Sequence, residues 1–248
     1  MDKQLIADRF SRACFTYERQ ALAQQTIAHN MLQLMLDHHL PVGTAMAEFG
    51  CGTGFFSRLI CEHFRPSSLL LNDLSSAMEG CVASLLNDHV SFRAFDAETG
   101  DFPQVQILCS CSALQWFVHP ERFFERVRRC LLPDGWLAFS TFGPDNLQEI
   151  RTLTGKGLTY PDMNDLQAML EPFYDLCYIG EERIAQTFST PMQVLRHIKE
   201  TGVNATAPHR FTSTSLTRFC ADYQERFHDE EGNVHLTYHP IYVLAKIK

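Results

Sequence analysis

Apolar residues recur along this chain in two distinct rhythms. In the first part they fall three and four positions apart, as at Phe10, Ala13 and Tyr17, and no glycine or proline occurs before Pro41. This spacing places apolar side chains on one face of a helix. It predicts two helices with a bend between them over residues 3–38.

From Thr44 onward, short apolar runs of strand length alternate with segments of helical spacing. Strands are predicted at residues 45–49, 69–72, 90–95, 105–110 and 136–141, and helices at 55–64, 75–86 and 120–131. This alternation is typical of a doubly wound α/β sheet. The ligands of such a sheet bind beyond the carboxyl ends of its strands.

The last hundred residues break the alternation. Helices are predicted at 163–170, 191–200 and 213–226, and strands at 174–180 and 234–247. Two late strands that flank a helical segment indicate an antiparallel sheet edge with a helical cover. No fixed repeat and no Pro- or Ser-rich linker divides the chain, so we expect one domain over residues 1–248.

Composition and charge exclude several classes of protein. The 248 residues are 45% apolar and 20% charged, as in a globular protein with a sizeable core. The formal net charge is −8, which disfavours binding to nucleic acid through its phosphates. No apolar run approaches the roughly 20 residues that span a bilayer, and no secretory signal is visible, so we expect a cytoplasmic protein without membrane contact.

The nine cysteines favour a reducing compartment. They are spread from Cys14 to Cys220 without a Cys-x-x-Cys pair, which fits neither a disulfide framework nor a zinc site. Cys109 and Cys111 share one face of a predicted strand, where buried thiols that pack a core are the simpler interpretation. We therefore expect no bound metal.

A glycine-rich segment carries the sharpest chemical signal. Residues 48–54 are Glu-Phe-Gly-Cys-Gly-Thr-Gly, directly between a predicted strand and a predicted helix. Alternate glycines allow a sharp turn and a close approach of a ligand to the backbone. Their spacing argues against a dinucleotide site, and the lack of Gly-Lys-Ser/Thr excludes a Walker loop. Glu48 is expected to attract a cationic ligand. A tight turn without a ligand is the alternative.

Acidic and polar residues follow the next three strands. Asp73 ends the second strand, where a carboxylate can accept hydrogen bonds from both ribose hydroxyls of a nucleoside, or can begin the next helix. Asp96 follows the third strand and is either a partner for the amino group of adenine or a surface carboxylate. Residues 110–116 follow the fourth strand, and Trp116 is either a wall of the site or a core residue.

In order and spacing, these features resemble the S-adenosylmethionine-dependent methyltransferases of the seven-strand Rossmann-like class. The match covers roughly residues 44–141, with Glu48 where Asp is more frequent. It implies an α/β sheet preceded by N-terminal helices, with a helical insertion before the last strand. The implied cofactor is S-adenosylmethionine, which leaves as S-adenosylhomocysteine. The implied cofactor contacts are Tyr17, Glu48, Gly50, Cys51, Gly52, Gly54, Asp73, Leu74, Asp96, Ala97 and Ser112.

A narrower resemblance extends over nearly the whole chain. Short motifs are similar to those of the malonyl-[acyl-carrier protein] O-methyltransferases of biotin synthesis, namely Arg12-Ala13, Tyr17-Glu18, Gln24, Leu114-Gln115-Trp116, Thr201 to Ala205 and Leu236-Thr237-Tyr238-His239. The resemblance implies methylation of the free carboxylate of a malonyl thioester on acyl-carrier protein or coenzyme A. The implied substrate contacts are Arg12, Gln115, Trp116, Tyr238 and His239.

The implied reaction needs no general base. A malonyl carboxylate is ionised at pH 7, so its oxygen can attack the sulfonium methyl directly, and catalysis would rest on alignment and exclusion of water. We expect residues 1–40 to form a lid, 44–141 the cofactor-binding core and 188–228 a helical cover. Tyr17 is the candidate lid contact to the cofactor and Arg12 the candidate contact to the substrate carboxylate; both residues can instead simply face core and solvent.

An acidic carrier protein needs a basic patch on this acidic chain. The candidate docking residues are Arg196, Lys199, Arg210 and Arg218. The arginine-rich helix at 120–131 is a second candidate, but Glu121 and Glu125 can pair with its arginines. Two other functions stay open, methylation of another small acid or carbon acceptor and cofactor binding without catalysis.

Overall fold

A computed structural model describes residue 3, residues 21–201 and residues 212–248. Three of the expected site residues, Arg12, Tyr17 and Arg210, lie outside the described residues. No helix in the described part of the chain is long and apolar enough to cross a membrane.

The described strands form two sheets. Their bounds are Ala45–Phe49 (β1), Ser68–Asp73 (β2), Val90–Ala94 (β3), Val105–Cys111 (β4), Leu131–Phe142 (β5), Tyr174–Glu181 (β6), Ile184–Phe188 (β7), Val234–Tyr238 (β8) and Pro240–Ile247 (β9). The larger sheet has the order β3-β2-β1-β4-β5-β9-β6. In this sheet β9 runs antiparallel to both of its neighbours, and the other pairs are parallel. β7 and β8 form a separate antiparallel pair.

The described helices cover both faces of the larger sheet. They are Leu22–Asp37 (α1), Phe55–Phe64 (α2), Met78–Val82 (α3), Pro120–Val127 (α4), Gln148–Thr154 (α5), Met163–Leu170 (α6), Pro191–Glu200 (α7) and Ser213–Arg226 (α8). α1 packs on β4, β5, β9 and α2 through a buried stripe that includes Ile27 and Met31. On the other face, buried Phe123 and Leu166 of α4 and α6 belong to a second core.

The sheet order fixes where a ligand can bind. β1 lies between β2 and β4. The chain therefore adds β2 and β3 on one side of β1, and then β4 and β5 on its other side. Such a switch point opens a crevice at the carboxyl ends of the strands. The glycine-rich loop follows β1, and this places it at that crevice.

The sequence prediction of fold class is confirmed. The sheet is the seven-stranded α/β sheet that was expected, and the predicted bounds of β1, α2, α6, α7 and α8 agree with the structure. The helical insertion before the last strand is also present, as α7 and α8.

The predicted helix at 75–86 is wrong at both ends. Side-chain oxygens of Asp73 and Ser75 accept the backbone N–H groups of Ser75 and Ala77, at 2.9 and 3.2 Å, and hold this segment in turns. The helix therefore begins only at Met78, and it passes into a 3-10 turn at Ala83–Leu85. Such local side-chain bonds compete with the helical ladder.

Three further boundaries differ from the prediction. The helix expected at 120–131 ends at Val127, because a 3-10 turn at Arg128–Cys130 leads into β5. The expected strand at 234–247 is two strands separated by His239, because β8 pairs with β7 while β9 enters the larger sheet. The strand expected from Trp136 begins at Leu131, which pairs with Val105. Between the pairs that Leu131 and Trp136 form with β4, β5 contains a bulge, in which Asp134 adopts a φ of 61°.

Candidate functional site

Each glycine of the loop after β1 adopts a left-handed backbone conformation. The φ angles are 67° at Gly50, 53° at Gly52 and 81° at Gly54. A Cβ atom on Gly50 would overlap the side chain of Ala113, and one on Gly54 would lie 2.8 Å from Cγ1 of Val82. A Cβ on Gly52 would meet nothing within 4 Å. Packing thus requires glycine at positions 50 and 54, whereas the space beside Gly52 is open.

Asp73 joins this loop to the end of β2. Its Oδ2 accepts a hydrogen bond from the N–H of Gly52 at 3.0 Å, and its Oδ1 accepts one from the N–H of Ser75 at 2.9 Å. Burial raises the pKa of Asp73, although these N–H groups favour the ionised form. Each oxygen keeps a further lone pair, so the carboxylate can still accept the hydroxyls of a ribose. Leu74, another of the expected cofactor contacts, is the next residue in the chain.

Glu48 differs from the expectation of a negative charge at the mouth of the loop. Its carboxyl is buried between β1 and α2, where Oε2 accepts a hydrogen bond from the Ser57 hydroxyl at 2.5 Å. Burial raises the pKa of Glu48 to about 8, and the nearby carboxylate of Asp73 acts in the same direction. The carboxyl is therefore mostly neutral at pH 7, and it anchors the start of α2 rather than presenting a charge.

The cysteines near the loop are structural. The backbone N–H of Cys51 donates to the carbonyl oxygen of Asn72 at 2.9 Å, and burial raises the pKa of its thiol. Cys109 is fully buried in the core, and Cys111 accepts a hydrogen bond from the Ser140 hydroxyl at 3.2 Å. Within the described residues, no group of three or more His, Cys, Asp or Glu side chains could hold a metal ion.

Asp96 lies after β3 in a network that the sequence did not reveal. Its Oδ1 accepts the N–H of Glu98 at 3.0 Å, and its Oδ2 accepts the ammonium of Lys3 at 2.7 Å. Lys3 also donates to Glu98, whose carboxylate accepts the N–H of Val118 at 2.9 Å. Ala97 is buried between the two acidic residues. Lys3 and Glu98 were missed because no local pattern pairs residues so far apart.

Polar side chains near the carboxyl ends of β4 and β5 carry buried atoms that lack a hydrogen-bond partner. Among the described residues, these atoms include Oγ of Ser112, Oε1 of Gln115 and Oγ1 of Thr141. A buried polar atom without a partner costs free energy, so such atoms fit a polar ligand. Trp116 is half-buried in the 3-10 turn Leu114–Trp116 beside them. This end of the sheet can therefore receive a polar group.

Tyr238 and His239 are both buried and both already have partners within the protein. The Tyr238 hydroxyl lies 2.6 Å from Nε2 of His197, whose pKa burial lowers to about 4. Nδ1 of His239 accepts the N–H of Asp145 at 3.0 Å, and its Nε2 lies 2.9 Å from Oε2 of Glu181. These contacts fasten the β8–β9 junction to α7, to the loop after β5 and to the end of β6. They give the two residues a structural role next to the expected substrate role.

The structure describes three of the four residues of the expected basic patch, namely Arg196, Lys199 and Arg218. Arg196 and Lys199 are exposed on α7, and exposed Met192 lies on the same face at helical spacing. Arg218 on α8 instead lies 3.7 Å from Asp222. The described patch therefore consists of two cations beside one apolar side chain.

This chain is similar in sequence to known proteins. The methyltransferase domain family matches residues 47–139. The chain is 45% identical to the malonyl-[acyl-carrier protein] O-methyltransferase of Bacteroides helcogenes, with 100% of both chains covered. It is 47% identical to the protein of that name from Bacteroides fragilis, covering 98% of this chain and 50% of that one, so this chain spans about half of that relative's length.

Solved structures agree with the fold. An S-adenosylmethionine-dependent methyltransferase from Mesorhizobium loti superposes with a TM-score of 0.56 at 18% identity, over 87% of this chain and 95% of the other. At this low identity the likeness concerns the fold alone. It agrees with the fold class that the sequence resemblance implied.

Proposed function

This chain belongs to the malonyl-[acyl-carrier protein] O-methyltransferase family, and we propose that it methylates the free carboxylate of malonyl-[acyl-carrier protein] with S-adenosylmethionine. The observation that carries the proposal is the similarity over full length to enzymes of that name. Methylation would remove the negative charge of the malonyl carboxylate. The resulting methyl ester would be a primer that fatty-acid enzymes can elongate in biotin synthesis.

The site residues suit the cofactor. S-adenosylmethionine supplies an electrophilic methyl group on a positively charged sulfur. We propose that Asp73 accepts the ribose hydroxyls and Asp96 the adenine amino group, each held by the backbone bonds described above. The open space beside Gly52 is the proposed cofactor cradle and supports a close approach to the backbone, because a side chain there would occupy the space.

The acceptor requires positioning rather than activation. Its carboxylate carries no proton to be removed at pH 7, so no side chain of this protein has to act as a base. Ser112, Gln115 and Thr141 have buried atoms free to orient a polar group. We propose that they and Trp116 line the acceptor side, where alignment and exclusion of water supply the rate.

We propose that residues 1–40 close over the site. A buried anionic acceptor needs a cation nearby. Arg12, which matches the family motif, is the candidate contact to the substrate carboxylate, and Tyr17 is the candidate contact to the cofactor. Lys3 supports this arrangement, because its contact with Asp96 brings the start of the chain to the adenine end of the site. The core at 44–141 and the cover at 188–228 complete this proposed organisation.

The carrier protein is proposed to dock on α7. Acyl-carrier proteins are acidic and this chain has a net charge of −8, so association needs a local positive patch. Arg196 and Lys199 supply two exposed cations, and Met192 beside them supplies apolar contact. We propose that Arg210, which lies outside the described residues, is a third cation of this patch. Arg218 could contact the carrier protein only if its ion pair with Asp222 opens.

The cysteines support a cytoplasmic location for the proposed activity. The eight cysteines of the described part of the chain are free thiols. Free thiols suit the reducing cytoplasm. We propose that the enzyme acts there on a protein-bound thioester, without a role for nucleic acid or membrane.

A panel of acceptors tests the proposal. Release of S-adenosylhomocysteine is measured with malonyl-[acyl-carrier protein], malonyl-coenzyme A, acetyl-[acyl-carrier protein] and free malonate. We expect turnover of the malonyl thioesters, fastest on the carrier protein, and none of the acetyl thioester, which lacks a free carboxylate. Equal turnover of free malonate would mean that a small acid is the substrate, and no turnover despite cofactor binding would overturn catalysis.

A further inference from the structure

The direction of α1 places its first turn at the cofactor edge of the sheet. Near its end, His38 contacts the ring of Tyr178, which pairs in β6 with Leu244 of β9. In its middle, Asn30 donates to Glu182 at 2.7 Å and reaches Tyr242, nearer the carboxyl end of β5. The helix thus runs away from the carboxyl edge, and its start lies beyond that edge.

A second contact brings the middle of α1 to the end of the glycine-rich loop. The rings of His29 and Phe55 meet at 5.4 Å between centroids, and Phe55 directly follows Gly54. Gln24 lies five residues before His29, or about 7.5 Å further along the helix axis. Gln24 also lies on the same buried stripe as Ile27, so its side chain is directed inward.

The carboxamide of Gln24 is buried without hydrogen bonds. The residue is 8% exposed, and neither Oε1 nor Nε2 has a partner in the structure as described. Leaving a donor and an acceptor both unsatisfied is costly, because each loses its bonds to water on burial. A group that binds both atoms at once would remove this cost.

The sheet order indicates which part of the cofactor would reach Gln24. In the proposed site, Asp96 after β3 holds adenine and Asp73 after β2 holds ribose. The remainder of the cofactor must then extend away from these strands, past β1 towards β4. α1 covers β4 and β5, so Gln24 stands at the opposite end from adenine.

We propose that Gln24 binds the amino-acid end of S-adenosylmethionine, with Nε2 donating to the α-carboxylate and Oε1 accepting from the α-ammonium. A carboxamide offers one donor group and one acceptor, and this end of the cofactor carries one anion and one cation. This inference rests on the proposed function, because it takes the cofactor as given. It makes Gln24 a residue that positions the sulfonium for the acceptor.

Calorimetric titration with two ligands tests the assignment. S-adenosylhomocysteine carries the amino-acid end, whereas 5′-methylthioadenosine keeps the nucleoside and the sulfur but lacks it. For Gln24→Met we expect the Kd of S-adenosylhomocysteine to rise about ten- to hundredfold, the range for hydrogen bonds to charged groups. The Kd of 5′-methylthioadenosine should change less than about twofold, because it never contacts Gln24.

Control variants separate this effect from a change in folding. Gln33 is exposed on the opposite side of α1 and donates to Asp37 at 2.7 Å, so Gln33→Met should change neither Kd. Gln24→Glu keeps the shape and the acceptor for the α-ammonium but replaces the Nε2 donor to the α-carboxylate with an oxygen, so it should also weaken S-adenosylhomocysteine selectively. Thermal unfolding of each variant shows whether it is folded during the titration.

The outcomes distinguish this inference from the proposed function. Equal weakening of both ligands, or an unchanged Kd for S-adenosylhomocysteine in folded Gln24→Met and Gln24→Glu, would overturn the assignment. A raised KM for the malonyl thioester alone would overturn it too, since Gln24 would then bind the acceptor. If the wild-type protein binds both ligands as expected but methylates no thioester, the proposed function fails and the Gln24 assignment stands.

Discussion

The backbone N–H of Gly52 donates a hydrogen bond to Oδ2 of Asp73 at 3.0 Å, across 21 residues of chain. This bond connects the loop after β1 with the end of β2, so the two halves of the proposed cofactor site are positioned together. A change at either residue therefore has a structural effect and a binding effect, and a useful experiment has to separate them.

Asp73→Ala is expected to weaken cofactor binding and to lower stability. The variant removes the acceptor of the Gly52 and Ser75 N–H groups and the proposed acceptor of the ribose. We expect the Kd of S-adenosylhomocysteine to rise by about ten- to hundredfold, and the free energy of unfolding to fall by about 1–3 kcal/mol. Calorimetry and urea unfolding measure the two effects. Asp88→Ala, at an exposed position, is the control; unchanged affinity in folded Asp73→Ala would remove Asp73 from the site.

Gly52→Ala is expected to affect binding more than stability. Gly52 and Gly155 both have positive φ and open space at the Cβ position, so alanine imposes a similar backbone strain of roughly 1–2 kcal/mol at each. Only at Gly52 would the new methyl group occupy the proposed cofactor cradle. We predict similar loss of stability in the two variants and weakened S-adenosylhomocysteine binding in Gly52→Ala alone. Equal affinity in both would show that the cradle is not used.

Glu48 is expected to make the protein less stable as pH rises. Burial raises its pKa in the folded state from the ordinary 4.5 to about 8, so the folded protein holds a proton that the unfolded chain has released. The free energy of unfolding should therefore fall between these two pH values. Glu48→Gln can still accept the Ser57 hydrogen bond and should lose less stability over that range in urea unfolding. Glu79→Gln, at an exposed carboxyl, should behave as wild type. A wild-type slope in Glu48→Gln would contradict the assignment.

The double variant Arg196→Glu with Lys199→Glu tests the docking surface. Charge reversal should lower kcat/KM on malonyl-[acyl-carrier protein] by at least about tenfold and flatten its dependence on salt, because steering by opposite charges is lost. Activity on malonyl-coenzyme A should fall less. The matched variant Arg122→Glu with Arg129→Glu changes exposed cations on and just after α4. If that variant alone loses activity on the carrier protein, docking occurs on α4.

Sequence patterns predicted the elements whose signals are local. β1 is a short buried run with a glycine loop behind it, and both its bounds and the turn followed from residues 45–54. The position of Asp73 at a strand end was equally visible in the sequence. Helix α7 was bounded by Pro191, which suits the first turn of a helix.

Contacts between distant residues could not be predicted in this way. The neutral state of Glu48 depends on its burial under α2 and on the nearby carboxylate of Asp73, which only the packed fold supplies. The bond from Lys3 to Asp96 crosses 93 residues. Gln24 has an ordinary position in an amphipathic helix, and only its missing partners in the folded protein distinguish it from its neighbours.

The position of the transferred methyl group tests the central claim most directly. Malonyl-[acyl-carrier protein] is incubated with the enzyme and S-adenosylmethionine carrying an isotopically labelled methyl group, and the product is examined by NMR. We predict one labelled methoxy resonance on the malonyl group, because the free carboxylate is the nucleophile. A labelled methyl resonance on carbon, or label that stays on S-adenosylmethionine while the cofactor is bound, would contradict carboxyl methylation.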